Sequence, residues 1–250
     1  MIGIFDSGVG GLSVFREIKK ILPDERYIYY SDNAHCPYGE KSKEYIIDRA
    51  RQITDFLISQ GADVIVVACN TATAAAIKTL REEYSIPFIG MEPAIKPAAR
   101  LTKTGIVGVL ATAGTLKADK YKDTRGKYAD DATVVEHIGQ GFVELVESGQ
   151  TTGSKAEAVV IESIEPLLDA GADTIVLGCT HYPFLSETIS KVATSLAPGR
   201  KIHIVDPAPA VARHLHEVMT EKNIIRQDGY ELSLHSSGEN TTLNNMVITL

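Results

Sequence analysis

Gly61-Ala62-Asp63-Val64-Ile65-Val66-Val67-Ala68-Cys69-Asn70-Thr71 decides how this chain folds, because the chain carries it twice. The second copy is Gly171-Ala172-Asp173-Thr174-Ile175-Val176-Leu177-Gly178-Cys179-Thr180-His181, displaced by 110 residues throughout. Each copy reads as a turn, an apolar run of strand length, and a cysteine followed by polar residues suited to start a helix. An apolar run without alternation suits a strand buried on both faces, as in the parallel sheets of α/β proteins. A weaker echo at a similar distance relates Ile2 to Gly8 with Ile106 to Gly114, strand then turn in both. The chain therefore reads as a pseudo-duplicated pair of half-molecules, each with one thiol at the carboxyl end of a strand, where open parallel sheets bind ligands.

Outward from these segments, apolar runs alternate with stretches of helical period, the pattern of βαβ units. Strands are predicted at Ile2 to Phe5, Tyr27 to Tyr30, Val64 to Ala68, Gly105 to Leu110, Thr133 to His137, Thr174 to Leu177, Lys201 to Val205 and Tyr230 to Leu234. Leu12, Phe15, Ile18 and Leu22 share one helical face, and further helices are predicted near Glu44 to Ser59, Asn70 to Leu80, Glu157 to Leu168 and Ala208 to Glu221. Any helix at the very end is expected to be short or absent. No low-complexity linker divides the chain. The expected fold is α/β: two pseudo-symmetric lobes, each a mainly parallel sheet flanked by helices, with the active site in the cleft between them. Residues 1–92 with 207–250 would form the lobe carrying Cys69, and 93–206 the lobe carrying Cys179.

Composition narrows the function classes. The 250 residues hold 25 Lys and Arg against 32 Asp and Glu, a formal charge of −7. That balance argues against nucleic acid or an anionic membrane as the main partner, since both reward clustered cations. No apolar run approaches the roughly 18 residues of a membrane span, and the first residues lack the features of a signal peptide. Three cysteines without a C-x-x-C pair suit free thiols in a reducing cytoplasm and supply no structural zinc motif. No metal site is expected.

Among residues with chemical potential, the paired cysteines come first. A thiol between a strand end and a helix start meets backbone N–H groups and the positive helix end, which favour thiolate. One such cysteine is as readily a small buried apolar residue. Two in register, kept while Ala68/Gly178 and Asn70/Thr180 diverge, point to function. Thiols opposed across a carbon can remove a proton from one face and return one to the other, inverting a stereocentre. On separate lobes flanking a substrate they would stand too far apart for a disulfide. A single nucleophilic Cys helped by a His is a further option.

Asp6-Ser7-Gly8-Val9-Gly10-Gly11 forms a Gly-rich turn suited to a carboxylate or phosphate, and Asp6 beside free amides suits proton handling. It is not a dinucleotide fingerprint, since Ser13 occupies the third glycine position. His181, two residues beyond Cys179, is a candidate to polarise that thiol or donate to a substrate, although a lone loop His is otherwise usually solvated or capping. Taken alone, Pro37-Tyr38-Gly39 is an ordinary turn in a polar loop, Glu147 a solvated helical carboxylate, and Cys36 structural.

Taken in order, Asp6-Ser7-Gly8-Val9-Gly10-Gly11, Pro37-Tyr38-Gly39, Ala68-Cys69-Asn70-Thr71-Ala72 and Gly178-Cys179-Thr180-His181-Tyr182-Pro183 resemble the signature segments of bacterial glutamate racemases. The likeness spans nearly the whole chain. Thr112, Thr115, Tyr121 and Phe142 to Glu147 also resemble family segments. The resemblance implies a cofactor-independent amino-acid racemase that makes D-glutamate for peptidoglycan in the cytoplasm, with a homodimer expected on resemblance alone. It implies Cys69 and Cys179 as the two acid/base residues, supported by Asp6, Glu147 and His181. The substrate would be held by Asp6, Ser7, Tyr38, Gly39, Asn70, Thr71, Thr112, Thr115, Thr180 and His181. Two positions depart from the family pattern: His35 stands where Arg is frequent, and Gly139-Gln140 replace a common Cys-Pro. An aspartate or hydantoin racemase, or a binding module with inert cysteines, are the alternatives.

Overall fold

The computed structural model describes residues 1–128 and 131–248; residues 129–130 and 249–250, which the predicted lobe ranges also span, lie outside them. In chain order the elements are β1 (Ile2–Asp6), α1 (Leu12–Ile21), β2 (Arg26–Ser31), α2 (Lys43–Ser59), β3 (Val64–Val67), α3 (Asn70–Glu83) and β4 (Phe88–Gly90). Then come α4 (Ile95–Leu101), β5 (Ile106–Ala111), α5 (Ala113–Lys117), α6 (Asp119–Lys127), β6 (Thr133–Ile138), α7 (Phe142–Glu147), α8 (Ser154–Asp169), β7 (Thr174–Gly178), α9 (Ser186–Leu196) and β8 (His203–Val205). The chain closes with α10 (Ala208–Glu221), β9 (Glu231–Ser236) and the eight-residue α11 (Thr241–Ile248), so a short terminal helix is present.

Two compact units result, Met1–Met91 with Ala208–Leu250, and Glu92–Pro207. In the first, five strands lie in the order β4-β3-β1-β2-β9, and every pairing is parallel. In the second, four strands lie in the order β6-β5-β7-β8, again all parallel. Reading β8-β7-β5-β6 against β4-β3-β1-β2 shows the same topology in both units, with β3 and β7 in equivalent slots. The duplication seen in the sequence is thus a duplication of strand order. Among the described residues β9 has no counterpart in the second unit.

Burial explains the apolar runs. Every residue of β1, β3 and β7 is buried, as central parallel strands covered on both faces require. The edge strands β6 and β9 are only partly buried. One core of the first unit gathers Phe5, Ile65 and Val67 from the sheet with Ile46, Ile53 and Leu57 of α2 and Ala72, Ala76 and Leu80 of α3. The second unit has its own core around Ile95, Val107, Val109, Ala111, Tyr121 and Val176. Local signals also match: Ser42 caps α2, its hydroxyl accepting the Tyr45 N–H at 3.2 Å, and Lys19 and Lys20 complement the carboxyl end of α1.

Candidate functional site

In the first unit the chain leaves β1 toward β2 on one side, while β3 continues to β4 on the other. That switch point lies at the carboxyl ends of β1 and β3, the usual ligand position in such sheets. β1 delivers Asp6 and Ser7 there, and β3 delivers Cys69. Asp6 is fully buried, and its carboxylate accepts the backbone N–H groups of Ser7 and Gly11, each at 2.7 Å. Gly11 must lack a side chain, because a Cβ would stand 2.7 Å from the Tyr29 hydroxyl oxygen and 2.8 Å from Asp6 Cβ. The turn therefore holds the carboxylate by its own backbone, beside the Ser7 hydroxyl.

Cys69 is the N-cap of α3. Its sulfur accepts the Ala72 N–H at 3.5 Å and lies 3.8 Å from Ser7 Oγ. A sulfur facing a free helix-end amide is in the setting that favours thiolate over thiol. Asn70 and Thr71, the next residues, are buried. Neither side-chain atom of the Asn70 amide has a hydrogen-bond partner among the described residues. A buried, unpaired carboxamide costs about 1–3 kcal/mol, so its presence beside a thiol marks a place built to bind something polar.

Tyr38 departs from the expectation of an ordinary polar turn. It is buried among the largest side chains of the unit and packs in the same core cluster as Cys69, while Gly39 is half-buried. The Tyr38 hydroxyl donates to Asp32, which follows β2 and is fully buried. Burial raises the Tyr38 phenol, and the negative groups Asp32 and Cys69 raise it further, so it remains a donor. Burial would also raise the Asp32 carboxyl, but hydrogen bonds from Arg49, Tyr38, His35 and Ser237 bring it below its ordinary value.

The second unit repeats the plan with different partners. Its switch point lies between β5 and β7, and it presents Thr112 and Thr115 after β5 and Cys179 after β7. Thr112 caps α5, donating its hydroxyl to Thr115 Oγ1 at 3.1 Å and accepting the Thr115 N–H at 3.3 Å. Cys179, Thr180 and His181 are all buried. Cys179 Sγ lies 3.8 Å from His181 Nδ1, and His181 Nε2 lies 2.6 Å from Glu147 Oε1 at the end of α7. Glu147 is thus no free surface carboxylate. Thiol, imidazole and carboxylate form a chain along which a proton can be held or passed.

These two constellations have relatives. The Asp/Glu/hydantoin racemase family profile matches residues 2–215. A glutamate racemase of Methylococcus capsulatus is 52% identical over 214 residues, which cover 86% of this chain and 77% of that protein. Among solved structures, a glutamate racemase isoform from Bacillus anthracis superposes with a TM-score of 0.86 at 32% identity, over 100% of this chain and 92% of the other. A Francisella tularensis glutamate racemase, solved in complex with D-glutamate, gives 0.83 at 29% identity, over 100% and 93%. The chain belongs to the Asp/Glu/hydantoin racemase family.

For a racemase of this family, the residues singled out from sequence fall into two groups. Asp6, Ser7, Tyr38, Gly39, Cys69, Asn70 and Thr71 belong to the first unit, and Thr112, Thr115, Glu147, Cys179, Thr180 and His181 to the second. Within the first, Asp6, Ser7 and Cys69 meet directly, and Tyr38 reaches Cys69 through the core. Within the second, Cys179, His181 and Glu147 meet, and Thr112 pairs with Thr115. The sequence analysis singles out neither Asp32 nor Arg49. The only available signal was a carboxylate leaving β2 beside Asp6, since its guanidinium partner sits 17 residues away on another element. Tyr182 was read only as part of a motif. It is fully buried, its phenol is held far above its ordinary value by burial with Cys179 and Glu144 nearby, and it donates to the Gly139 carbonyl at 3.3 Å.

Proposed function

We propose that this racemase interconverts L- and D-glutamate without a cofactor, with Cys69 and Cys179 as the two acid/base groups. One thiolate takes the α-proton from one face of the substrate carbon, and the other thiol delivers a proton to the opposite face. The roles reverse for the other enantiomer. The observation that carries the reading is the pair of buried strand-end thiols in equivalent slots of duplicated sheets, each with its own proton-handling partners. An inert structural cysteine needs no such partners, and it would not be kept in both copies. Glutamate as substrate rests on the relatives named above.

The chemistry assigns the supporting roles. An α-proton beside a carboxylate is weakly acidic, so the carbanionic state must be stabilised by donors already in place. Ser7, Asn70, Thr71, Thr112, Thr115 and Thr180 supply hydroxyl, amide and helix-start groups for the substrate carboxylates. Tyr38 and Gly39 complete the wall beside Cys69. Asp6, held by two amides, is a fixed negative group suited to the substrate ammonium and to proton exchange with the first thiol. His181 with Glu147 serves the second thiol in the same way. D-glutamate supply to peptidoglycan, a cytoplasmic location and a homodimer belong to the same proposal. The three cysteines, none of them in a disulfide, suit a reducing compartment, and no helix among the described residues is long and apolar enough to cross a membrane.

Incubation with L-glutamate in deuterated water tests this reading. Deuterium should enter at the α-carbon as the D-isomer grows, with no cofactor added. Cys69→Ala and Cys179→Ala should each abolish net racemisation. Turnover that survives both single substitutions would remove the two-thiol mechanism, and turnover on aspartate alone would move the substrate assignment.

A further inference from the structure

We infer that Arg49 is a positioning residue for the reaction: through Asp32 it anchors the loop that carries Tyr38 and Gly39 against the Cys69 site. The inference rests on Tyr38 and Gly39 lining the substrate site, as proposed above.

Asp32 has no side-chain exposure, and a lone buried carboxylate is among the costliest groups a fold can contain. It is tolerated here because its oxygens are saturated from several elements. Arg49 of α2 forks onto it, Nε donating to Oδ2 at 2.9 Å and Nη2 to Oδ1 at 2.7 Å. Tyr38 donates its hydroxyl to Oδ2, and His35 Nδ1 meets Oδ1 at 2.9 Å. The Asp32 backbone N–H donates to the Asp6 carbonyl at 2.9 Å, tying the same residue to the end of β1. One residue therefore joins β1, through its backbone, to α2 and both single 3-10 turns of the loop, Asn33–His35 and Tyr38–Glu40, through its carboxylate.

The far side of the loop is tied as well. Ser236 donates its hydroxyl to Asn33 Oδ1 at 2.7 Å, and the Ala34 N–H donates to Ser237 Oγ at 3.1 Å. Those contacts hold the first turn only. The second turn, with Tyr38 and Gly39, packs against α3 and the core beside Cys69, and the Tyr38–Asp32 hydrogen bond is what ties it to Arg49. Apolar side chains of similar volume would fill the space at least as stably, because buried ion pairs are poor sources of stability. What a bidentate guanidinium–carboxylate pair supplies is direction. It fixes where the Tyr38 ring lies relative to the Cys69 sulfur. Misplacement of about 1 Å at a binding wall is enough to lower catalytic efficiency by about a hundredfold.

Arg49→Lys and Arg49→Met test the assignment. Lysine keeps the charge and loses the fork, so it also serves if the methionine variant does not fold. Two readouts are taken: steady-state kinetics with glutamate, and backbone amide exchange over residues 33–40. Arg49→Met should raise KM by about tenfold or more with kcat changed by less than about threefold, the signature of lost substrate binding. Arg49→Lys should fall between it and the parent. Amide exchange of the second turn should accelerate in both, without acceleration in β1 or β3. A folded variant with unchanged KM and unchanged exchange would overturn the anchor, as would lower thermal stability alone with kinetics intact. Should the parent fail to racemise glutamate while exchange still accelerates in the lysine variant, the anchor would stand and the substrate assignment would fall.

Discussion

Asp173→Asn is predicted to cost the second unit about 2–3 kcal/mol at neutral pH, and the loss should fade as the solution is acidified. Asp173 closes the turn before β7 and is nearly fully buried. Its oxygens accept the Thr102 hydroxyl at 2.5 Å, the Lys103 N–H at 2.7 Å, the Thr104 N–H at 3.1 Å and the Thr174 hydroxyl at 3.1 Å. Burial alone would raise its carboxyl, but these four donors outweigh burial and lower it from 3.8 to about 2. A shift of that size corresponds to about 2 kcal/mol of folding free energy. The native state binds the proton less readily than the unfolded chain, so the stabilisation is complete above the unfolded value near 4. It is lost as pH falls through about 2. Asparagine keeps the shape but turns an N–H₂ toward donors that need an acceptor. Urea unfolding of parent and variant from neutral pH down to about pH 3 measures the difference. Asp63, the counterpart in the repeat, provides the control. Its side chain is 29% exposed and is held by the Met1 ammonium at 2.6 Å and Arg226 at 2.9 Å. Asp63→Asn should therefore cost no more than about 1 kcal/mol and lose part of that in high salt, whereas the Asp173 effect should be insensitive to salt. Equal destabilisation by Asp173→Asn at neutral pH and about pH 3 would refute the assignment to a hydrogen-bonded carboxylate.

Other outcomes follow from the site geometry. Glu147→Gln should lower kcat by about a hundredfold or more with little change in KM, because it removes the carboxylate 2.6 Å from His181 Nε2 while leaving the substrate donors in place; steady-state kinetics over pH checks this. Gly139→Ala would place a Cβ 2.6 Å from Cζ of the fully buried Tyr182 ring, an overpacking worth about 1–3 kcal/mol. Its thermal midpoint should drop, and kcat should drop with it, since Tyr182 adjoins His181; Tyr182→Phe should relieve neither effect, because the clash is with the ring and not only with its hydroxyl.

Much of this was legible in the chain. Val64 to Val67 and Thr174 to Gly178 announce buried strands because, Thr174 apart, nothing in them seeks water. Their repetition alone marks the duplication. Boundaries drifted where local cues were weak: β8 begins at His203, two residues after the predicted start, and α8 begins at Ser154, three residues before it. β4 went unread because Phe88–Gly90 is three residues long and follows a proline. α6 was missed because Asp119–Lys127 buries only Tyr121 and has almost no apolar stripe. The site divided along the same line. Cys69, Asp6 and His181 were visible because each adjoins a strand end in sequence. Asp32 with Arg49, and Gly139 with Tyr182, were not, because each pair is made by the fold across distant positions.

Those two missed pairs occupy equivalent places. The Asp32 N–H donates to the carbonyl of Asp6, the last residue of β1, and the Gly139 N–H donates to the carbonyl of Ala111, the last residue of β5. Both therefore stand just beyond the strand that flanks the central one, β2 in the first unit and β6 in the second. At that slot the first unit has a carboxylate that gathers donors from the loop leaving the strand. The second has no side chain, which admits the Tyr182 ring and lets its hydroxyl reach the Gly139 carbonyl. Each solution orders the residues beside its own thiol, by direction in one case and by close packing in the other. The halves have thus kept the sulfur and the sheet while diverging in what holds the surrounding wall. The two-thiol reaction proposed above would demand only that much symmetry: each unit must present its sulfur at the same slot of its own sheet, and the supports around it need not match.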